Sequence, residues 1–409
     1  MSATPGVAGR SPPPWYLIFF FGALAALGPL SIDVYLPAIP SIAADFGVTV
    51  LALQNTLNVF LVGYGIGQFF GGALSDQIGR KRIGYVGLVV YLATSIAIAF
   101  AGSLTEMLTL RFFQAIGGGF STVICMATVR DIYPVEQLGR RFATVTMVLL
   151  VAPLVAPALG YAMLPLGWEP SFVFQAVYAG VLLTAYAKIV PETRPGRLAS
   201  LSLGSVFRQC FDVVRRRVGG RLLPIRYATA MAFSAACLMI FVTNSSFMYM
   251  QYFGVGPGPF SLLFGTSVLG VMAMNLFSMW RLKSYNAGTF FRVGLTVQVV
   301  AVAALLAVIA TGRASLIVVV PLIVLTVATL GLVGPAGSSR YMAYFRELAG
   351  SASSVYTTMM FFLGGLFGWV SGALNDGTLL PLAAMMLGVS LIANAISLGL
   401  PRHAEPAAR

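Results

Sequence analysis

Twelve stretches of about twenty mostly apolar residues run through this chain, each close to the length a helix needs to cross the hydrocarbon core of a bilayer. They fall near 15–39, 51–74, 84–101, 105–127, 142–165, 171–190, 225–252, 259–280, 287–311, 315–337, 352–374 and 378–400, separated by short polar or Gly/Pro breaks. Lipid offers no partner to a bare N–H or C=O, so each stretch has to be a helix and the series a helical bundle. Dividing 409 residues by twelve leaves about 34 per span, with little chain for any domain outside the membrane. The predicted class is an all-α integral membrane protein.

Charge is scarce. Asp, Glu, Lys and Arg make up 9% of the chain and apolar residues 58%, where a soluble domain carries about 25% charged residues. Too little charge remains to coat a water-soluble enzyme. A net charge of +13 would suggest nucleic acid in a soluble chain, but the positions of the cations point elsewhere. Of the 25 Lys and Arg, 23 (all but Arg111 and Arg313) gather on alternate breaks between spans, as cytoplasmic loops do. The pattern places both termini in the cytoplasm, requires an even number of spans and predicts no nucleic-acid partner. Cys125, Cys210 and Cys237 form no close-spaced cluster, and the single His403 lies in the C-terminal tail. No metal site, catalytic residue or buried histidine relay is predicted.

The spans divide six and six: a tail over 1–14, a bundle over 15–190, a linker over 191–224, a bundle over 225–400 and a tail over 401–409. The basic linker, with Arg215–Arg217 and Pro224, reads either as a solvated strand along anionic headgroups or as a regulatory docking site. A weak repeat relates the halves. The segments Arg130–Thr146 and Arg340–Thr358 each open on Arg, continue through aromatic and acidic residues, and enter the next span.

Asp33 stands in apolar sequence, GPLSIDVYLPAIP, between Pro29 and Pro37. A carboxylate at membrane depth costs about 2.5–3.5 kcal/mol on insertion scales, so it usually faces a cavity, a partner or a proton path. The alternative is a hydrated position at the outer end of the span. Arg111 is the second intramembrane charge, with Gln114 at i+3 on the same side of its helix. In the break after the second span, Arg80 or Arg82 is expected to meet Asp131 of a neighbouring loop, and Asp76 to cap the N-terminus of a helix from the other half. An Arg80–Asp131 or Arg82–Asp131 pair would close the cytoplasmic face and break on opening. Pro153, Pro157 and Gly160 share one face of the fifth span as a hinge. Two glycine ladders, Gly63/Gly67/Gly71 and Gly364/Gly368/Gly372, are expected at the seam between halves.

These motifs resemble those of a known group. GALSDQIGRKR (Gly72–Arg82) is similar to the loop signature of the major facilitator superfamily, and RFFQAIGGG to its fourth-helix motif, with Ala115 where Gly is usual. APLVAPALG resembles the fifth-helix antiporter motif, with Tyr161 following. SIDVYLPAIP with RDIYP and GSASS is similar to the Bcr/CflA group of bicyclomycin and chloramphenicol/florfenicol exporters. The resemblance implies two pseudo-symmetric six-helix bundles. It also implies a bacterial inner-membrane, proton-coupled drug exporter with Asp33 as the coupling carboxylate. The proton gradient would be the energy source, with no cofactor, and the chain a monomer. The expected substrate cavity holds Tyr35, Asn58, Tyr64, Gln114, Asn244, Phe247 and Asn275 beside Asp33 and Arg111. A dedicated exporter of a purine, an amino acid or a self-made antibiotic remains the alternative.

Overall fold

A computed structural model describes residues 14–193, 203–281, 286–345 and 348–401. Twelve of its helices are long and apolar enough to cross a membrane. The first bundle comprises α1 (Leu17–Asp45), α2 (Val50–Ile78), α3 (Arg80–Ile98), α4 (Leu104–Ile132), α5 (Val135–Met163) and α6 (Pro170–Ile189). A shorter helix, α7 (Leu203–Arg215), stands inside the segment expected to be a plain linker. The second bundle comprises α8 (Leu223–Ser246), α9 (Pro257–Arg281), α10 (Ala287–Ala310), α11 (Leu316–Met342), α12 (Ala349–Ala373) and α13 (Leu380–Leu398). The tails and the cations Arg10, Arg194, Arg197, Lys283, Arg346, Arg402 and Arg409 lie outside the described residues. The remaining linker and loop cations define a basic end; the opposite end is termed the far end below.

Local chemistry sets the helix limits. Thr49 accepts a hydrogen bond from the Ala52 N–H at 3.1 Å and starts α2. Ser103 accepts from Glu106 N–H at 3.3 Å and starts α4, while the Glu106 carboxylate reaches back to the Gly102 N–H at 2.9 Å. Gly79, at φ 112°, makes the break between α2 and α3, a backbone region that other residues rarely enter. Pro37 has no N–H to give to the Asp33 carbonyl, so α1 changes to a 3-10 turn at Leu36–Ala38 and then resumes over Ile39–Asp45. For that reason the first span reaches past its predicted end near 39.

The glycine ladders do not both line the seam. Gly63, Gly67 and Gly71 face α4 inside the first bundle; a Cβ at Gly63 would lie 2.8 Å from the Phe112 carbonyl and one at Gly71 2.9 Å from Phe120 Cα. The α2 glycines at the seam are Gly65 and Gly72, which face Phe361 and Ser354. In the second ladder Gly368 sits between Asn58 and Thr243, Gly364 meets Met239 of its own bundle, and nothing lies near Gly372 among the described residues.

The cores show how the bundles meet. At the far end one apolar cluster takes side chains from both, including Tyr35, Leu53 and Phe172 from the first and Phe241, Tyr249 and Phe260 from the second. At the basic end the clusters are separate, one around Val129, Tyr133 and Tyr186 and the other around Leu223, Tyr341 and Phe345. Ser246 Oγ donates to the Leu36 carbonyl and Ser261 Oγ to the Pro157 carbonyl, each at 3.0 Å across the far-end seam. The molecule is therefore closed at the far end. Helix α7 lies across the other end, with Phe207 against Phe69 and Phe70 of α2, Gln209 accepting from Ser351 Oγ of α12 at 3.1 Å, and Val213 buried.

Candidate functional site

Between the bundles lies a cavity of about 230 Å³. Gly28, Pro29, Ile32 and Asp33 come from α1, Tyr64 from α2, and Leu149, Leu150 and Pro153 from α5. The second bundle adds Leu238, Met239, Phe241 and Val242 from α8, Phe264, Ser267, Val268 and Val271 from α9, Val327 from α11 and Phe361 from α12. Of these eighteen residues only Asp33, Tyr64 and Ser267 carry polar side chains. Asp33 is 5% exposed, and no hydrogen bond or ion pair reaches its carboxylate among the described residues. It lies within its span, not at the end of it, and forms no salt bridge among the described residues.

Arg111 is buried completely and does not pair with Asp33. Its Nη1 donates to Gln114 Oε1 at 2.8 Å and its Nη2 to the Ser31 carbonyl at 3.0 Å. The guanidinium lies 4.5 Å from the Tyr35 ring centroid, 4.4 Å from Phe60 and 5.8 Å from Phe172. Burying an ion costs several kcal/mol even after relaxation. Aromatic faces at about 0.5–2 kcal/mol each and hydrogen bonds to a charged group at about 1.5–3 kcal/mol each add up to a comparable amount, so no carboxylate is needed.

A closed ring of hydrogen bonds follows from Arg111. Gln114 Nε2 donates to Gln175 Oε1 at 3.0 Å and to Ser95 Oγ at 2.7 Å. Tyr91 Oη donates to the same Gln175 oxygen at 3.1 Å and shares a hydrogen bond with Ser31 Oγ. The ring joins α1, α3, α4 and α6. Ser31 and Asp33 are two residues apart, and such residues face away from each other on a helix: Ser31 turns into the bundle and Asp33 into the cavity.

The other predicted residues are distributed more widely. Tyr64 lines the cavity and donates to Thr122 Oγ1 at 2.8 Å. Tyr35 bonds Thr56 Oγ1 at 2.9 Å beneath Arg111, and Gln114 belongs to the ring; neither lines the cavity. Asn58 and Asn244 are buried in the seam just beyond it, where Asn244 Nδ2 donates to the Ile240 carbonyl at 2.8 Å. Phe247 belongs to the far-end core. Asn275 sits on α9 with its backbone against Gly331. The cavity wall is thus more apolar than expected: Tyr35 and Gln114 are engaged between helices of the first bundle, and Asn58 and Asn244 donate within their own helices in the seam.

Pro153, Pro157 and Gly160 meet three different partners. Pro153 lines the cavity, the Pro157 carbonyl accepts from Ser261 of α9, and a Cβ at Gly160 would collide with the Val34 carbonyl of α1. At the basic end Arg80 Nε pairs with Asp131 at 2.5 Å, and Thr193 Oγ1 donates to the same carboxylate at 3.1 Å. The expected Arg80–Asp131 pair is present, and it ties α3 to α4 within one bundle. Arg82 is exposed on α3, and the side chain of Asp76 lies outside the described residues. Glu192, not foreseen, accepts from the Arg80 and Lys81 N–H groups at 3.0 Å each and caps α3. Ser31, Tyr91, Ser95 and Gln175 were also missed, although Gln175 is a lone amide in an apolar span and could have been singled out.

Residues 17–369 match the sequence profile of the Major Facilitator Superfamily. A bicyclomycin resistance protein homolog of Haemophilus influenzae is 27% identical over 375 residues, covering 90% of this chain and 92% of that one. An uncharacterized MFS-type transporter, YdgK, of Bacillus subtilis is 28% identical over 397 residues, 95% of this chain and 96% of that one. Multidrug resistance protein MdtL of Salmonella typhi is 27% identical over 286 residues, 68% of this chain and 71% of its own. Among solved structures, a D-xylose-proton symporter superposes with a TM-score of 0.76 at 13% identity, covering 95% of this chain and 98% of that one. The human organic anion transporter MFSD10 superposes at 0.68 and 17% identity, over 95% and 100%.

Proposed function

The chain belongs to the major facilitator superfamily of multi-pass membrane transporters, and we propose that it is a proton-coupled exporter of small, largely apolar drugs. In this reading Asp33 takes up a proton when the cavity faces outward and yields it, or exchanges it for drug, on the cytoplasmic side. The basic end is cytoplasmic, so both termini are too, and the membrane is the bacterial inner membrane. The proton gradient supplies the energy without a cofactor, and one chain suffices.

One observation carries the proposal: Asp33 is the lone ionisable carboxylate on a wall otherwise almost wholly apolar, and it has no partner among the described residues. An apolar wall with few polar points suits loose selection among phenicol- or bicyclomycin-sized molecules. The printed names of the bicyclomycin and multidrug resistance relatives support drug export. The Arg111 ring, held to the Ser31 carbonyl two residues before Asp33, fixes the segment of α1 that presents the carboxylate.

The test uses proteoliposomes with an imposed proton gradient and chloramphenicol as the probe. Asp33→Asn should abolish gradient-driven transport while equilibrium exchange persists. Full gradient-driven activity in that variant removes Asp33 from the mechanism.

A further inference from the structure

Two seams join the bundles between the cavity and the far end, and they are finished differently. Between α5 and α9 the joints are apolar or paired: Tyr161 faces Gly258, Leu154 faces Gly265, and Ser261 Oγ donates to the Pro157 carbonyl. Between α2 and α12 the helices run antiparallel in one register. Gly72 faces Ser354, Gly65 faces Phe361 and Asn58 faces Gly368, each step seven residues along both helices. One further turn toward the far end brings Gln54 and Ser371 onto the same faces.

There the polar groups are left over. Gln54, Asn58, Asn244 and Ser371 are each no more than 4% exposed. Yet both amide atoms of Gln54, Asn58 Oδ1, Asn244 Oδ1 and Ser371 Oγ have no hydrogen-bond partner among the described residues. The asparagine N–H groups turn to their own helices, Asn58 Nδ2 to Asn55 Oδ1 at 3.2 Å and Asn244 Nδ2 to the Ile240 carbonyl at 2.8 Å. A Cβ at Gly368 would collide with Asn58 Oδ1 and lie 2.9 Å from Thr243 Oγ1, so these two oxygens meet over bare backbone. The Thr243 hydroxyl cannot relieve the contact, because it donates to the Ile240 carbonyl at 3.2 Å. Orphaned groups like these are few in folded proteins, and each calls for a reason.

We propose that Gln54, Asn58, Asn244 and Ser371 are the concealed polar wall of the cavity in its far-end-open form, and that leaving them unpaired drives the closed seam toward opening. The apolar cluster of Tyr35, Phe172, Phe241 and Phe260 holds the far end shut; the orphaned side chains weaken that closure. Parting α2 from α8 and α12 admits water to all four at once and restores the bonds the closed seam lacks. The wall a ligand meets then changes in kind. The closed form offers three polar side chains among eighteen residues, and the parted seam adds three amides and a hydroxyl. An apolar ligand is held less firmly there, since covering those amides would strip them of water. Only this release step rests on the exporter reading; the strain in the seam does not.

The test reads the balance between the two forms and needs neither ligand nor proton gradient. In a Cys210→Ser chain the other two cysteines are buried. Nitroxides at Thr105→Cys and Asp376→Cys, exposed at the far ends of opposite bundles, then report open and closed populations in liposomes as long and short distances. Gln54→Leu keeps the volume and removes the orphaned atoms, and should lower the open-to-closed ratio about fivefold or more, the population equivalent of one orphaned group. Gln298→Leu, which removes a buried amide already paired within the second bundle, should leave the ratio unchanged. No change in Gln54→Leu, or an equal fall in both variants, would mean that the seam stores nothing of its own. A raised ratio would mean that water or an ion bridges the amides in the closed form. Each of these results overturns the proposal. Should Gln54→Leu fail to fold, Ser371→Cys gives a second reading: its thiol should be alkylated by a water-soluble maleimide in folded protein, and absence of labelling counts against the wall. A fully active Asp33→Asn would defeat the coupling reading and leave the distance result untouched.

Discussion

The two bundles share a helix plan and differ in what they bury. The first holds all three buried charges of the described residues, Asp33, Arg80 and Arg111, and the ring of amides and hydroxyls around Arg111. In the second, the described interior holds neutral ties, such as that where Ser234 Oγ donates to Gln298 Oε1 at 2.9 Å and Gln298 Nε2 returns a bond to the Ser234 carbonyl at 3.2 Å. The loops repeat the contrast. Arg80 meets the carboxylate of Asp131, while in the second bundle Arg340, related by the repeat to Arg130, meets the amide of Asn286. Packing needs only apolar helices with small residues where they touch, and both halves have that. Charge inside lipid has to be justified by a task, and one half carries it.

Substitutions can break that contrast. Arg111→Ala should have the largest effect, since it leaves the Ser31 carbonyl and Gln114 Oε1 short of a donor in a dry interior. Orphaned groups cost about 1–3 kcal/mol each, and coupled transport should fall with stability, both read by denaturant unfolding and flux on the same preparation. Gln298→Ala should be milder, at about 0.6 kcal/mol, the average for interhelical hydrogen bonds in membranes, with transport largely kept. Equal losses from the two variants would mean that the halves are energetically alike. Glu192→Gln removes a charge from the N-terminus of α3 and should cost about 0.5–1 kcal/mol in the same unfolding assay. The smallest effect concerns the far-end loop of the second bundle. Thr378 donates to Asp376 through its hydroxyl at 2.6 Å and its N–H at 3.0 Å, holding that exposed carboxyl below its ordinary range. A carboxyl depressed in the fold contributes stability above the ordinary Asp value that is lost as pH falls through the depressed one. Thr378→Val should therefore raise the Asp376 titration midpoint, followed by carboxyl-carbon NMR, without a measurable change in global unfolding.

The helices were legible because a span of lipid length leaves so few options, and Asp33 and Arg111 because an isolated charge in apolar sequence cannot be accidental. The cavity wall was not legible. Phe241, Phe264, Leu150 and Val268 are the same residue types that face lipid elsewhere, and in a membrane helix both faces are apolar, so periodicity cannot separate wall from exterior. Asn58, Asn244 and Gln114 were expected in the cavity because they are polar. Gln114 instead bonds Ser95 and Gln175 of neighbouring helices, whereas Asn58 and Asn244 donate within their own helices in the buried seam. Glycine spacing likewise announces a close approach without naming the neighbour; Gly67 faces Ile116 of its own bundle while Gly65, two residues away, faces Phe361.

The apolar cluster shared by both bundles at the far end carries a thermodynamic signature. Exchanging access would part Tyr35 and Phe172 from Phe241 and Phe260, wetting their surfaces and giving the step a positive heat-capacity increment. Hydrophobic association weakens on cooling. The balance between the two states should therefore curve with temperature, and chilled samples should hold more of the form that is rare when warm.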